Sequence, residues 1–175
     1  MGLPVLDADR MAHLALEPGS EGERQVLKTF GDGIKGADGH LDRRALAREV
    51  FANKSRLKDL EAIVHPIVKK LVMEERNRLA KAGHAACIYD VPLLYEANMA
   101  AQFDAVIVVY ADEESRIDRV TKRSNWTRDE AVSRMKMQMP LEEKVKRASA
   151  VILNTGSEEH LRNEVARALK ELKIV

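Results

Sequence analysis

The sequence predicts an α/β protein with parallel strands and a sizeable helical insertion, and three observations carry that prediction. Two stretches, "AACIYDV" and "FDAVIVVYA", are apolar throughout, the pattern of strands covered on both faces of a parallel sheet. Helical patterns alternate with them through the second half of the chain, as α/β proteins require. From Asp42 to Ala82 the pattern is almost wholly helical, which sets residues 20–82 apart as a helical side domain.

The elements follow in order. Leu3, Val5 and Leu6 form a short strand over 3–6, and Asp7 and Asp9 stand where it ends. In α/β folds that end of a strand is where ligands bind. "DADRMAHLALEPGS" reads as a helix of about two turns, stopped by Pro18-Gly19, with Ser20 capping the next helix. In "EGERQVLKTFG" the residues Val26, Leu27 and Phe30 recur at helical spacing. "GDGIKGADGHLDR" is a loop of tight turns. The helical stretch then divides into "DRRALAREVF", "SRLKDLEAIV" and "HPIVKKLVMEERNRLAKAG", with Pro66 at a junction or kink. A strand over 86–91, a short helix "PLLYEANMA", a strand over 105–110 and the helix "DEESRIDRVTKR" come next. "WTRDEAVSRMKMQM" is a helix opened by a capping box of Thr127 and Glu130. "PLEEKVKRASA", a last strand over 151–153, the turn "NTGS" and a closing helix complete the chain.

Composition narrows the function. With 29 basic and 28 acidic residues the net charge is +1, and aromatic content is 4%, so neither a nucleic-acid footprint nor base-stacking surfaces are indicated. The single cysteine, Cys87, sits in an apolar strand and reads as a buried, inert thiol in a reducing compartment. No long apolar span or charged leader is present, so a soluble cytoplasmic protein with no membrane contact is expected. "GDGIKG" matches two phosphate-loop patterns in spelling alone. It follows a helix instead of a strand, is continued by Ala37 and Asp38, and carries acids that would repel phosphate.

Several stretches taken together resemble the dephospho-coenzyme A kinase family. They are "LPVLDADRMAH", "EPGS", "ADGHLDRRALAREVF", "EAIVHPIV", "YDVPLLYEA", "RVTKRSNWTRDEAVSRMKMQMPLEEK" and "ILNTGS", in the family's order. The resemblance implies ATP-dependent phosphorylation of the ribose 3′-hydroxyl of dephospho-CoA, with ATP and Mg²⁺ as cofactors. It implies a P-loop kinase-like parallel sheet with a helical substrate domain and a lid. On that reading residues 1–19 and 83–175 are the kinase core, the lid lies at about 119–147, and 20–82 is the CoA-binding insertion. Members of the family open with a strand, a P-loop and a helix ahead of the stretch matching "GLPVLDAD". The expectation is therefore a sheet without its central P-loop strand, and an isolated chain that is poorly stable and inactive. The alternative is a catalytically silent CoA- or nucleotide-binding protein derived from the family.

Roles carry over residue by residue. Asp9 matches the base that faces the ribose hydroxyl; read alone, it is equally a helix N-cap. Asp7 is its supporting acid on the substrate side, with His65, Pro92 and Leu93; a lone helical histidine is also ordinary structure. Asp90 approaches Mg²⁺ through water, or caps the segment after its strand. Arg119 and Arg123, four residues apart on one helix, match the ATP phosphate site, although acids close by also suit a solvated face. Gln138 and Lys144 match the lid's end. Asn154 and Gly156 match the adenine-side turn, where Leu153 replaces the family's usual acid and where turn chemistry is an equal reading. His13, His40, His84 and His160 have no ligand-like spacing with His65. Met135, Met137 and Met139 are expected to be packing residues of the lid helix.

Overall fold

A computed structural model describes residues 2–174. The chain divides into two compact units, Gly2–Pro92 and a second one from Leu93 onward.

The first unit opens with β1 (Val5–Asp7), which leads without a loop into α1 (Ala8–Ala15). Ser20 caps α2 (Glu21–Phe30), its hydroxyl accepting from the Glu23 N–H at 3.1 Å. A 3₁₀ turn at Asp32–Ile34 and a bridge between Lys35 and Leu41 shape the glycine-rich loop. Asp42 caps α3 (Arg43–Ala52) and Asn53 caps α4 (Lys54–Lys81). The division expected at Pro66 does not occur: α4 is one helix of 28 residues that runs through it. Proline removes a single bond, the one the Ala62 carbonyl would accept, and packing on both sides holds the helix together. Val26, Phe30, Ile34, Leu46 and Val50 form one core against the front of α4, with Leu57, Leu60 and Ile63. Its rear half packs on the strands through Leu6, Met11 and Leu79, with Val68, Leu71 and Val72 around them. Cys87 lies half-buried at the edge of that cluster.

β2 (Ile88–Asp90) pairs in parallel with β1, in the register Val5–Ile88, Leu6–Tyr89, Asp7–Asp90. The second unit repeats this arrangement. β3 (Ile107–Tyr110) and β4 (Ala150–Leu153) form a parallel pair, covered by α8 (Glu158–Glu171) through Ala150, Ile152, Leu161, Val165 and Ala168. Between them run α5 (Glu113–Ser124), α6 (Arg128–Lys136) and α7 (Leu141–Arg147). Asn125 ends α5 in the left-handed conformation, φ 54°, a position asparagine tolerates better than most residues. Thr127 and Glu130 form the full capping box of α6.

Three expectations change. "PLLYEANMA" is a run of turns over 92–98 instead of a helix, followed by a 3₁₀ turn at Ala100–Gln102. Pro92 at its start and Asn98 at its end, the latter in the left-handed conformation at φ 54°, favour turn chemistry over helix in so short a stretch. The parallel sheet is present as two pairs, and Val5, Val109 and Leu153 stay 65, 53 and 41% exposed, so the strands are not covered on both faces among the described residues. Met137 is 75% exposed and is not a packing residue. No described helix is long and apolar enough to cross a membrane.

Candidate active site

In the first unit the acids gather at the C-terminal end of the strand pair. Asp7 ends β1 and Asp90 ends β2, in register, and neighbouring parallel strands lie about 4.8 Å apart. Asp7, not Asp9, is the N-cap of α1: its Oδ1 accepts from the Arg10 N–H at 3.0 Å. A cap residue needs extended backbone, which the last strand residue has at φ −108°, ψ 120°. Asp9 is thereby released from the structural role its sequence position also allowed. It stands in the first turn of α1, exposed, with no side-chain hydrogen bond among the described residues. Asp90 is also exposed and has no side-chain hydrogen bond among the described residues, and since no helix directly follows it, it is no helix cap.

This set suits one kind of cation. No three His, Cys, Asp or Glu residues converge as a cage among the described residues. A Mg²⁺ ion that keeps its waters and binds substrate phosphate needs only one or two carboxylates, and Asp7 and Asp90, in register at one sheet end, are two that could hold it. His65 lies exposed on α4 beside Pro66, without a side-chain partner among the described residues, and Pro92 is exposed at the unit's end.

The second unit brings together two groups of predicted residues. Arg119 donates to the backbone carbonyl of Asn154 at 2.9 Å, so this guanidinium fastens α5 to the turn after β4. The Asn154 N–H is held by the Tyr110 carbonyl at 2.7 Å. At Gly156 a Cβ would come within 3.0 Å of the His160 ring, which explains the glycine by space. Arg123, Gln138 and Leu93 line an open groove of about 460 Å³, together with Trp126, Met135 and Met137. Arg134 stacks over the Trp126 ring at 4.2 Å, and Arg128 pairs with Glu114 across α5 and α6.

Lys144 has a partner the sequence did not announce. Its ammonium lies 2.7 Å from Oε1 of Glu96, with the two side chains 12 and 23% exposed. The same oxygen accepts the Met139 N–H at 2.9 Å. Burial pushes the Glu96 carboxyl up, but the Lys144 and Met139 contacts outweigh it and hold the group below the usual carboxylate range. Glu96 sits in the "PLLYEA" run quoted above, yet nothing local distinguishes it from a solvated acid.

The family model of dephospho-CoA kinase matches residues 1–160. The dephospho-CoA kinase of Geobacillus kaustophilus is 40% identical over 171 residues, covering 98% of this chain and 85% of that protein. That of Anaeromyxobacter dehalogenans is 41% identical over 172 residues, 98% of this chain and 82% of its own. Among solved structures, a Thermus thermophilus protein superimposes with a TM-score of 0.82 at 43% identity, over 98% of this chain and 85% of that one. Dephospho-CoA kinase from Campylobacter jejuni gives 0.69 at 29% identity, with the same coverages. With parallel strand pairs, carboxylates at a strand end and matches of this extent, the chain belongs to the dephospho-CoA kinase family.

Proposed function

We propose that the protein transfers the γ-phosphate of ATP to the ribose 3′-hydroxyl of dephospho-CoA, with Asp9 as the base. The observation that carries this reading is the free Asp9 carboxylate at the β1 end, released from capping by Asp7. The ribose oxygen attacks the γ-phosphorus, its bond to phosphorus forms as the β–γ bridge bond breaks, the proton passes to Asp9, and ADP leaves. Such a transfer asks for orientation and charge stabilisation more than for covalent chemistry. Mg²⁺, held through water by Asp90 and Asp7, would supply cationic charge to the phosphates.

The remaining roles extend the reading. Arg119 keeps the Asn154–Gly156 turn in shape for the adenine edge, and Arg123, Gln138 and Lys144 meet phosphate oxygens. Guanidinium forks and a shielded ammonium suit such anions. His65, Pro92 and Leu93 lie on the acceptor side. Residues 1–19 and 83–175 form the kinase core, with 119–147 as lid and 20–82 as CoA-binding insertion. Both substrates are soluble metabolites, which supports a cytoplasmic enzyme acting on small molecules.

The test is ADP release with ATP, Mg²⁺ and dephospho-CoA. No G-x-x-x-x-G-K-[ST] occurs in these 175 residues, and each electrostatic contact of such a loop is worth about 10²–10³ in rate. The assay is therefore run on this chain and on a form carrying a strand, P-loop and helix ahead of Met1, with turnover expected in the longer form. Asp9→Ala should lower kcat by about 10²–10⁴ there, the usual worth of a general base. An Asp9→Ala enzyme with unchanged kcat would remove Asp9 from the chemistry.

A further inference from the structure

The Glu96–Lys144 contact points to a role for Glu96 that the reading above does not include. We propose that Glu96 is a positioning residue of the kinase: its carboxylate holds the Lys144 ammonium and the Met139 backbone where phosphate contact requires them. The inference rests on Lys144 as a phosphate contact.

The geometry is that of one acceptor fixing two parts of the chain. Oε1 takes both the Lys144 ammonium, at 2.7 Å, and the Met139 N–H, at 2.9 Å. Met139 follows Gln138 directly, and Lys144 lies on α7. A single carboxylate in the turn run over 92–98 therefore orders both lid-end residues at once.

Stability alone does not account for the arrangement. Withdrawing two charges from water offsets most of what their attraction returns, and an apolar pair of similar size would stabilise as well or better. Here the expense is larger still, because Oε2 of Glu96 is buried without a hydrogen-bond partner. Glu96 also lines the groove that holds Arg123 and Gln138. Glu96 holds the long Lys144 side chain in one orientation, so that less freedom is lost when an anion arrives.

The experiment compares Glu96→Gln, Lys144→Met and the double variant, in the form of the protein that turns over in the assay above. It reads kcat/KM for ATP and Tm. Each single change should lower kcat/KM by about tenfold or more, the worth of a charge-assisted contact. The double variant should fall no further than the worse single one, since Glu96 acts through Lys144. Tm should drop in each single variant and recover in the double, where no buried charge is stranded, while kcat/KM should not recover. That divergence separates positioning from plain structure.

Wild-type kcat/KM in Glu96→Gln, or kcat/KM that returns together with Tm in the double variant, overturns the inference alone. Wild-type kcat/KM in Lys144→Met overturns the phosphate role of Lys144 and the inference with it. Turnover in neither form overturns the proposed reaction on which both rest.

Discussion

Glu23 is 3% exposed and accepts from backbone N–H groups on two segments, Gly19 at 2.6 Å and Leu41 at 2.9 Å. The ring of His40 lies 3.2 Å away. The Leu41 N–H does most to hold this carboxyl below its ordinary value, against the opposing effect of burial. Glu23→Ala strands two N–H donors, each costing about 1–3 kcal/mol. Urea unfolding should therefore show a loss of about 2–6 kcal/mol, and a loss under about 0.5 kcal/mol would mean that water replaces the carboxylate. At this scale the sequence was legible only where partners are local. Ser20 as a cap and the Thr127–Glu130 box could be read because their bonds span three residues. Glu23 with Leu41 and Glu96 with Met139 could not, since 18 and 43 residues separate them. Asp9 shows the intermediate case: its position also suited a helix cap, and the extended backbone of Asp7 gives that cap to Asp7 instead.

At the scale of elements, Gly22 governs how α1 meets α2. It lies in the first turn of α2, and a Cβ there would stand 2.1 Å from the Ala15 carbonyl oxygen and 3.2 Å from Ile67 Cδ1. Gly→Ala inside a helix ordinarily stabilises by about 1 kcal/mol. Here the opposing atom is backbone, which cannot rotate away, so Gly22→Ala must push the end of α1 off α2 and disturb Ile67 on α4. Overpacking of this kind costs about 1–3 kcal/mol, and Gly22→Ala should lower Tm; an increase would show that the three helices re-pack freely. The helices themselves were legible from period and caps, and the strands from runs of Val and Ile. What escaped was continuity and shortness. Pro66 suggests a break that tertiary packing overrides along α4, and nine residues at 92–100 were too few to tell a helix from linked turns.

Over the whole molecule, carboxylates held in their charged form make stability depend on pH in one direction. Backbone N–H bonds from Ala45 and Arg44 depress Asp42, and the Ser115 N–H depresses Asp112. The Thr127 N–H does the same for Glu130. Glu164 goes furthest, from 4.5 to about 2, chiefly through Arg167 and then the Leu153 N–H. These groups are distributed over both units, on α3, α5, α6 and α8. A folded-state value below the unfolded one means that the stabilisation is fully present above the unfolded value and is lost as pH falls through the folded value. For Glu164 that window runs from 4.5 down to about 2; the capping acids are lowered too, so their contribution is lost in the same direction as pH falls. The arginines that partner them stay charged throughout, so no opposing gain arises as carboxylates protonate. Urea midpoints measured at neutral pH and at steps through the acid range should hold level down to about pH 4.5 and then decline continuously. Glu164→Gln should flatten the lowest part of that decline, because its Arg167 and Leu153 contacts no longer titrate. Midpoints that stay level through pH 3 would mean that these carboxylates keep their unfolded-state values, and that the caps and the Glu164–Arg167 pair contribute nothing dependent on charge.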